Sequence, residues 1–135
     1  MYILAHVGDS SAYHYRDGKL NQITDDHSFV GELIREGHLP EEAYYVHPRR
    51  NVITRALGQM PYISVDLYTD FLQENDRLLI CTDGLWEMVR DDELSTVLAN
   101  PIFEDIPSEL VEAANLNGGA DNIGLVVGEI NQKIT

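Results

Sequence analysis

Three aspartates flank predicted β-strands, and they are the strongest candidates for chemistry in this sequence. Asp9 directly follows a predicted strand, Asp83 follows a continuously apolar strand, and Asp121 precedes the last predicted strand. Each is flanked by small or polar turn-forming residues, which let a short carboxylate stand clear of the backbone at the rim of a sheet. Carboxylate oxygens are the ligands that hard divalent cations prefer. Aspartate also caps strands and helices, and spacing alone leaves both interpretations open.

Asp83 and Asp121 would lie close together if the strand before Asp83 pairs with the strand after Asp121. Strands at 78–81 and 123–127, if paired antiparallel, place the end of the first and the start of the second at the same edge of a sheet. Asp83 and Asp121 could then share one cation.

The first part of the chain alternates in the pattern of β-strands. Strands are predicted at 2–7, 12–16 and 19–24, and Asp17-Gly18 is a typical two-residue hairpin turn. We therefore expect a β-meander. Residues 62–70 also alternate, with Ile63, Val65 and Leu67 predicted to face inward, whereas the apolar run at 78–81 indicates a strand covered on both faces.

Short helices are predicted between and after the strands. Ser28 is a candidate N-cap for a helix that Gly37 ends, and a second helix begins at Pro40. Others are expected at 85–89, 93–98 and 109–116, the last with Ser108 as its cap and Gly118-Gly119 as its stop. With no linker or repeat, residues 1–135 form one domain of mixed α and β structure with antiparallel connections, an α+β fold.

Composition excludes several classes of function. The formal net charge of -14 opposes binding to nucleic acid or to an anionic membrane surface. The single cysteine, Cys81, allows no internal disulfide and is expected to pack in the core, which fits a reducing cytoplasm. The five histidines have no metal-ligand spacing.

The sequence resembles the C-terminal part of type 2C metal-dependent serine/threonine protein phosphatases. Five motifs carry the resemblance, in the order seen in that family: VGDS at 7–10, LNQITDDHS at 20–28, NVITRALG at 51–58, DRLLICTDGLW at 76–86 and GADNIGLVV at 119–127. The resemblance implies part of an α-β-β-α four-layer sandwich with antiparallel sheets. It also makes residues 29–61 a flap-like insertion beside the metal cleft.

The resemblance also implies a function. Asp83 and Asp121 would be ligands of a binuclear Mg²⁺ or Mn²⁺ centre, and Asp9 would join Asp83 at a third, more weakly held metal. Metal-activated water would then attack the phosphoryl group of a phosphoprotein directly. His27 matches a loop of the family without a catalytic role. Three arginines of this region could attract a phosphorylated peptide, or they could form a solvated basic face. They are Arg49, Arg50 and Arg55.

Departures from the family pattern are as informative as the matches. The Asp-Gly-x-Gly-Gly block, whose aspartate bridges the two metals, does not occur in these 135 residues. Ser11 stands where arginine is usual, and Gly124 where threonine is usual. Two hypotheses follow: part of a functional phosphatase, with little activity expected from this chain alone, or a non-catalytic phosphatase-like binding or regulatory module. We expect self-association, as a homodimer or a swapped assembly, to cover an open face.

Overall fold

The protein forms two antiparallel sheets and several short helices. The computed structural model describes residues 1–132, so the predicted domain boundary at residue 135 lies outside the described part. The strands are β1 Tyr2–His6, β2 Ser11–Arg16, β3 Lys19–Gln22, β4 Asp66–Asp70, β5 Arg77–Cys81 and β6 Leu125–Glu129. The helices are α1 Phe29–Arg35, α2 Ala43–Val46, α3 Asp83–Trp86, α4 Asp91–Leu98 and α5 Ile106–Leu116.

The small sheet contains β1 and β4, paired antiparallel with Ala5 opposite Leu67. The predicted meander is wrong, because β1 does not pair with β2. The chain turns at Gly8, whose φ of 111° is a conformation that favours glycine. It then enters the second sheet, so the loop with Asp9 connects the two sheets.

The large sheet has the order β3-β2-β5-β6. Its β2–β3 hairpin turns at Asp17 and Gly18, with φ values of 49° and 79°, which confirms the predicted turn. Antiparallel pairing of β5 with β6, with Cys81 opposite Leu125, confirms the predicted neighbours. The end of β5 and the start of β6 therefore share one edge.

Three layers are stacked. One face of the large sheet, with Tyr13 and Leu79, packs on the helices in a core that includes Leu85, Leu94 and Leu110. The opposite face meets the small sheet across a narrow space lined by residues from both sheets, including Tyr2, Leu4, Ala12, Leu78 and Ile80. This β-β-α arrangement confirms the α+β class and supplies three layers of the expected four-layer sandwich.

The outer face of the small sheet is apolar and exposed. Ile3 and Leu67 are 67% and 68% exposed, and Val65, just before β4, is exposed as well. The alternation predicted for 62–70 is present in β4, but its direction is wrong, because Asp66 faces inward to contact His27. Ile80 is 45% exposed, so the strand at 78–81 is not fully covered on both faces by residues 1–132.

The helix ends agree with prediction in part. Ser28 caps α1, since its Oγ accepts a hydrogen bond from the backbone N–H of Gly31 at 2.9 Å. The second helix begins at Ala43 rather than Pro40, and α5 begins at Ile106. Ser108 therefore lies inside α5 and donates its hydroxyl to the carbonyl of Asp105. No helix within residues 1–132 has the length and apolar character needed to cross a membrane.

Candidate metal centre

Asp9 lies in the loop between the two sheets, and its backbone is held from two directions. The indole Nε1–H of Trp86 donates to the Asp9 carbonyl at 2.9 Å. On the other side, the carbonyl of Gly8 accepts the backbone N–H of His27 at 2.9 Å. These bonds tie the Asp9 loop to α3 and to the segment that precedes α1.

His27 fixes the same loop through its ring. The Gly8 N–H donates to Nδ1 at 3.0 Å, so Nδ1 is an acceptor and Nε2 carries the proton that is donated to Asp66 at 2.6 Å. Arg55 donates to the other Asp66 oxygen at 3.0 Å. Hydrogen bonds from His27 and Arg55 lower the pKa of Asp66 to about 2. His27, only 1% exposed, is therefore a residue that positions the Asp9 loop.

Asp83 is the first residue of α3, directly after β5. The preceding Thr82 is bonded to Gly124: its N–H donates to the Gly124 carbonyl at 2.9 Å, and its Oγ1 accepts the Gly124 N–H at 3.0 Å. A β-carbon built on Gly84 would lie 2.0 Å from the Asn122 carbonyl oxygen. The start of α3 thus lies directly on the loop that carries Asp121.

Asp83 is affected by the charges of the other two aspartates. The pKa of Asp83 is raised by burial, then by the charge of Asp9, then by that of Asp121. The negative charges of Asp9 and Asp121 therefore both disfavour ionisation of Asp83. Asp9, Asp83 and Asp121, here called the acidic group, lie on α3 and on two loops that contact it.

Glu87 joins this group, although sequence analysis did not select it. It follows Asp83 by four residues, a spacing that places two side chains on one face of a helix. Burial, followed by the charge of Asp83, raises its pKa to about 7. The spacing from Asp83 was the signal that could have identified it.

The donor set fits a hard divalent cation, but it is incomplete. All the donors are carboxylate oxygens, and the ion pairs formed within residues 1–132 leave Asp9, Asp83 and Asp121 unneutralised. No three His, Cys, Asp or Glu side chains in this part of the chain are close enough together to hold a metal ion. The residues present would therefore supply some of the ligands of a site.

The three arginines at positions 49, 50 and 55 have different partners. Arg55 is paired with Asp66, Arg49 lies over the Phe29 ring at 5.3 Å, and Arg50 donates to the His47 carbonyl at 3.3 Å. The pKa of Glu87 is raised by burial and by the nearby aspartates, and the charge of Arg50 partly opposes this rise. Arg50 is therefore the arginine of this set whose charge acts on the acidic group.

Relatives of known class cover nearly the whole chain. No family model matches the sequence. A putative protein phosphatase 2C-type of Streptococcus pyogenes is 39% identical over 126 residues, which are 93% of this chain and 51% of that protein. The chain spans about half the length of the curated relatives it matches.

Solved structures agree in fold. The S. agalactiae serine/threonine phosphatase superposes with a TM-score of 0.90 at 38% identity, covering 96% of this chain and 54% of that one. The catalytic domain of the phosphatase PstP, solved with two manganese ions, superposes with a TM-score of 0.85 at 32% identity, covering 96% and 54%. By sequence identity and by fold, the chain is therefore similar to about half of a type 2C serine/threonine protein phosphatase.

Proposed function

We propose that this chain is part of a metal-dependent protein serine/threonine phosphatase and supplies Asp9, Asp83 and Asp121 to its metal centre. The observation that carries the proposal is the position of Asp83 at the start of α3, where the contact of Gly84 with Asn122 joins α3 to the loop that carries Asp121. The manganese ions of the PstP structure support Mn²⁺ as the metal, with Mg²⁺ as the alternative.

The residues of this chain would hold and orient the site. A divalent cation in such a centre lowers the pKa of a bound water, which supplies a nucleophile for a phosphoryl group. Asp83 and Asp121 would hold the cation from two loops joined by Thr82 and Gly124. Trp86 and His27 would keep the Asp9 loop in place.

The substrate would be a phosphoprotein, and the flap-like insertion at 29–61 would lie beside the bound phosphoserine or phosphothreonine. Arg50, which already acts on the acidic group, is the best-placed cation of the insertion for a phosphate. The free, buried thiol of Cys81 supports a cytoplasmic location.

A second function is favoured by the incomplete ligand set. The sequence has no Asp-Gly-x-Gly-Gly, and residues 1–132 hold no group of three close ligands. A non-catalytic binding or regulatory module with one weak metal site would need neither. The two functions differ in turnover, not in metal binding.

We also propose that the protein self-associates, because the outer face of the small sheet, with Ile3 and Leu67, is apolar and exposed. A second surface must cover this face, either another polypeptide segment of the phosphatase domain or a second copy in a homodimer or swapped assembly. In the purified chain only the second copy is present, so we expect self-association.

Calorimetric titration with Mn²⁺ tests the site. Wild type should give a saturable heat of binding that Asp83→Asn or Asp121→Asn removes, because each loses one anionic ligand. Asp17→Asn, in the exposed hairpin turn, is the matched control and should leave the isotherm unchanged. Identical isotherms for all three variants would contradict the ligand assignment.

Aryl phosphate hydrolysis distinguishes the two functions. This chain alone should show little Mn²⁺-dependent turnover, and addition of a polypeptide that supplies the bridging carboxylate should restore it under the phosphatase hypothesis. Continued lack of turnover in the assembled complex would favour the regulatory module.

A further inference from the structure

A cavity of about 110 Å³ lies between the large sheet and the segment with α2. Its lining includes four buried residues, Ser11, Tyr13, Asp26 and Trp86. None of these is among the proposed metal ligands. The proposed function gives this cavity no role.

Asp26 lines this cavity with a carboxylate that is only half satisfied. The residue is 4% exposed. Its Oδ2 accepts the hydroxyl hydrogen of Ser28, whereas Oδ1 is buried and has no hydrogen-bond partner in the described part of the chain. Burial raises the pKa of Asp26 to about 6. A buried anion without a partner is costly unless something pairs with it.

Aromatic side chains form much of the remaining wall. Tyr13, Tyr44, Tyr45 and Trp86 all line the cavity. The rings of Tyr44 and Trp86 lie nearly at right angles, at 82°, with their centroids 5.8 Å apart. Aromatic faces attract cations through the ring quadrupole, and the attraction grows where water is excluded. The wall therefore favours a positively charged ligand.

Further negative charge surrounds the opening. Glu41 and Asp91 line the cavity and are exposed. The pKa of Asp91 is raised by burial and then by the charge of Glu41. With Asp26 they give the cavity three carboxylates, which oppose the entry of a phosphate or any other anion.

Cations of the chain itself lie close by, but they leave Asp26 Oδ1 unpaired. Arg90 pairs with Glu42, and its Cζ lies 3.1 Å from the Tyr45 ring centroid. Arg35 lies near enough to lower the pKa of Asp26 in part, yet its side chain is exposed. Ser11 has too short a side chain to fill the space. The cavity is thus open to a cation from another molecule.

Size limits the choice of ligand. A volume of about 110 Å³ is below the ~150 Å³ cavity that takes a benzene molecule and well above the ~30 Å³ share of one water. A planar guanidinium head fits this range, whereas a nucleobase does not. Guanidinium also stacks on aromatic rings and donates to a carboxylate in a fixed geometry.

We propose that this cavity binds a guanidinium group supplied by another molecule, with Asp26 as its counter-ion and Tyr44 and Trp86 as its aromatic wall. The group could come from a free guanidinium compound or from an arginine side chain of a peptide. This site goes beyond the proposed phosphatase function and does not depend on it, because its test measures binding without metal or turnover.

Titration with methylguanidinium at constant ionic strength is the test. Trp86 is the only tryptophan and lines the cavity, so its single indole N–H signal in a ¹H–¹⁵N spectrum is an assigned reporter on a ring of the cavity wall. We expect a saturable shift of that signal and a dissociation constant weakened about tenfold or more in Asp26→Asn, which loses a charged hydrogen-bond acceptor. Asp25→Asn removes a neighbouring exposed carboxylate and should leave the constant unchanged.

Two more variants keep the test decisive. Ser11→Arg places a guanidinium on the cavity wall within the chain itself and should abolish binding of the added probe. If Asp26→Asn does not fold, Tyr44→Leu should still weaken binding several-fold by removing one aromatic wall. The proposal is overturned by a shift that does not saturate, or by equal weakening in Asp25→Asn and Asp26→Asn.

The source of the group is identified by competition. Acetyl-arginine amide should displace methylguanidinium, and an arginine peptide should bind more tightly than the amide if the natural ligand is a polypeptide. Equal affinities would instead indicate a free guanidinium compound. An acetyl-lysine amide that binds as tightly as the arginine amide would refute the assignment of guanidinium as the class of ligand.

Discussion

Gly84 and Asn122 touch backbone to backbone, and this contact joins the two loops that carry Asp83 and Asp121. A β-carbon on Gly84 would lie 2.0 Å from the Asn122 carbonyl oxygen and 2.9 Å from its carbonyl carbon. Real side chains do not approach backbone atoms so closely, so a larger residue must push the loops apart. The absence of a side chain at position 84 therefore sets the distance between two candidate ligands.

Gly84→Ala should separate these loops. We expect a loss of about 2 kcal/mol in the free energy of unfolding from overpacking, together with weaker Mn²⁺ binding. Urea denaturation and calorimetry measure the two effects. Gly128→Ala is the matched control, because nothing lies within 4 Å of a β-carbon there. Equal Mn²⁺ affinity in wild type and Gly84→Ala would contradict a site that spans both loops.

His27→Leu should destabilise the protein and weaken Mn²⁺ binding. The substitution leaves the Gly8 N–H and one Asp66 oxygen without their partners, at a cost of about 2–3 kcal/mol. His27→Gln keeps one acceptor and one donor and should recover part of both losses. His38→Leu, at an exposed position, is the control for losing a histidine. Urea denaturation and calorimetry measure the two effects, and unchanged stability and Mn²⁺ affinity in His27→Leu would contradict the positioning role.

Much of the fold could be predicted because local signals were strong. Asp17-Gly18 predicts its hairpin through the positive φ that both residues tolerate, and Ser28 predicts its helix start through an available hydroxyl. The failures concern partners distant in sequence. β1 pairs with β4 across about sixty residues, and no local pattern near Tyr2–His6 identifies that partner.

Part of the candidate metal site could also be predicted from the sequence. Asp83 and Asp121 could be placed together because antiparallel pairing of their strands fixes a shared edge. The Gly84–Asn122 contact that sets their separation depends on tertiary structure. Ser11 departs from the family pattern, but no local signal in the sequence places Ser11 and Asp26 in one cavity.

Acid should destabilise the protein through Asp66. Its pKa is lowered to about 2 by His27 and Arg55, so the folded state binds a proton less readily than the unfolded state. The resulting stabilisation is present above the unfolded pKa and is lost as the pH falls from about 4 to about 2. In Asp66→Asn, urea denaturation across this range should show a shallower loss of stability. Equal slopes in the two proteins would rule out this contribution.

Self-association should depend on the outer face of the small sheet. Leu67 is 68% exposed beside Ile3, and a lysine at position 67 would place a charge in the middle of this apolar face. We therefore expect Leu67→Lys to shift the protein toward monomer in sedimentation velocity, with little change in stability because the side chain is exposed. Leu116→Lys, at a 79% exposed position on α5, tests whether any added lysine has this effect. A wild-type monomer that binds no hydrophobic dye would show that this face needs no cover, and the proposed homodimer would then be wrong.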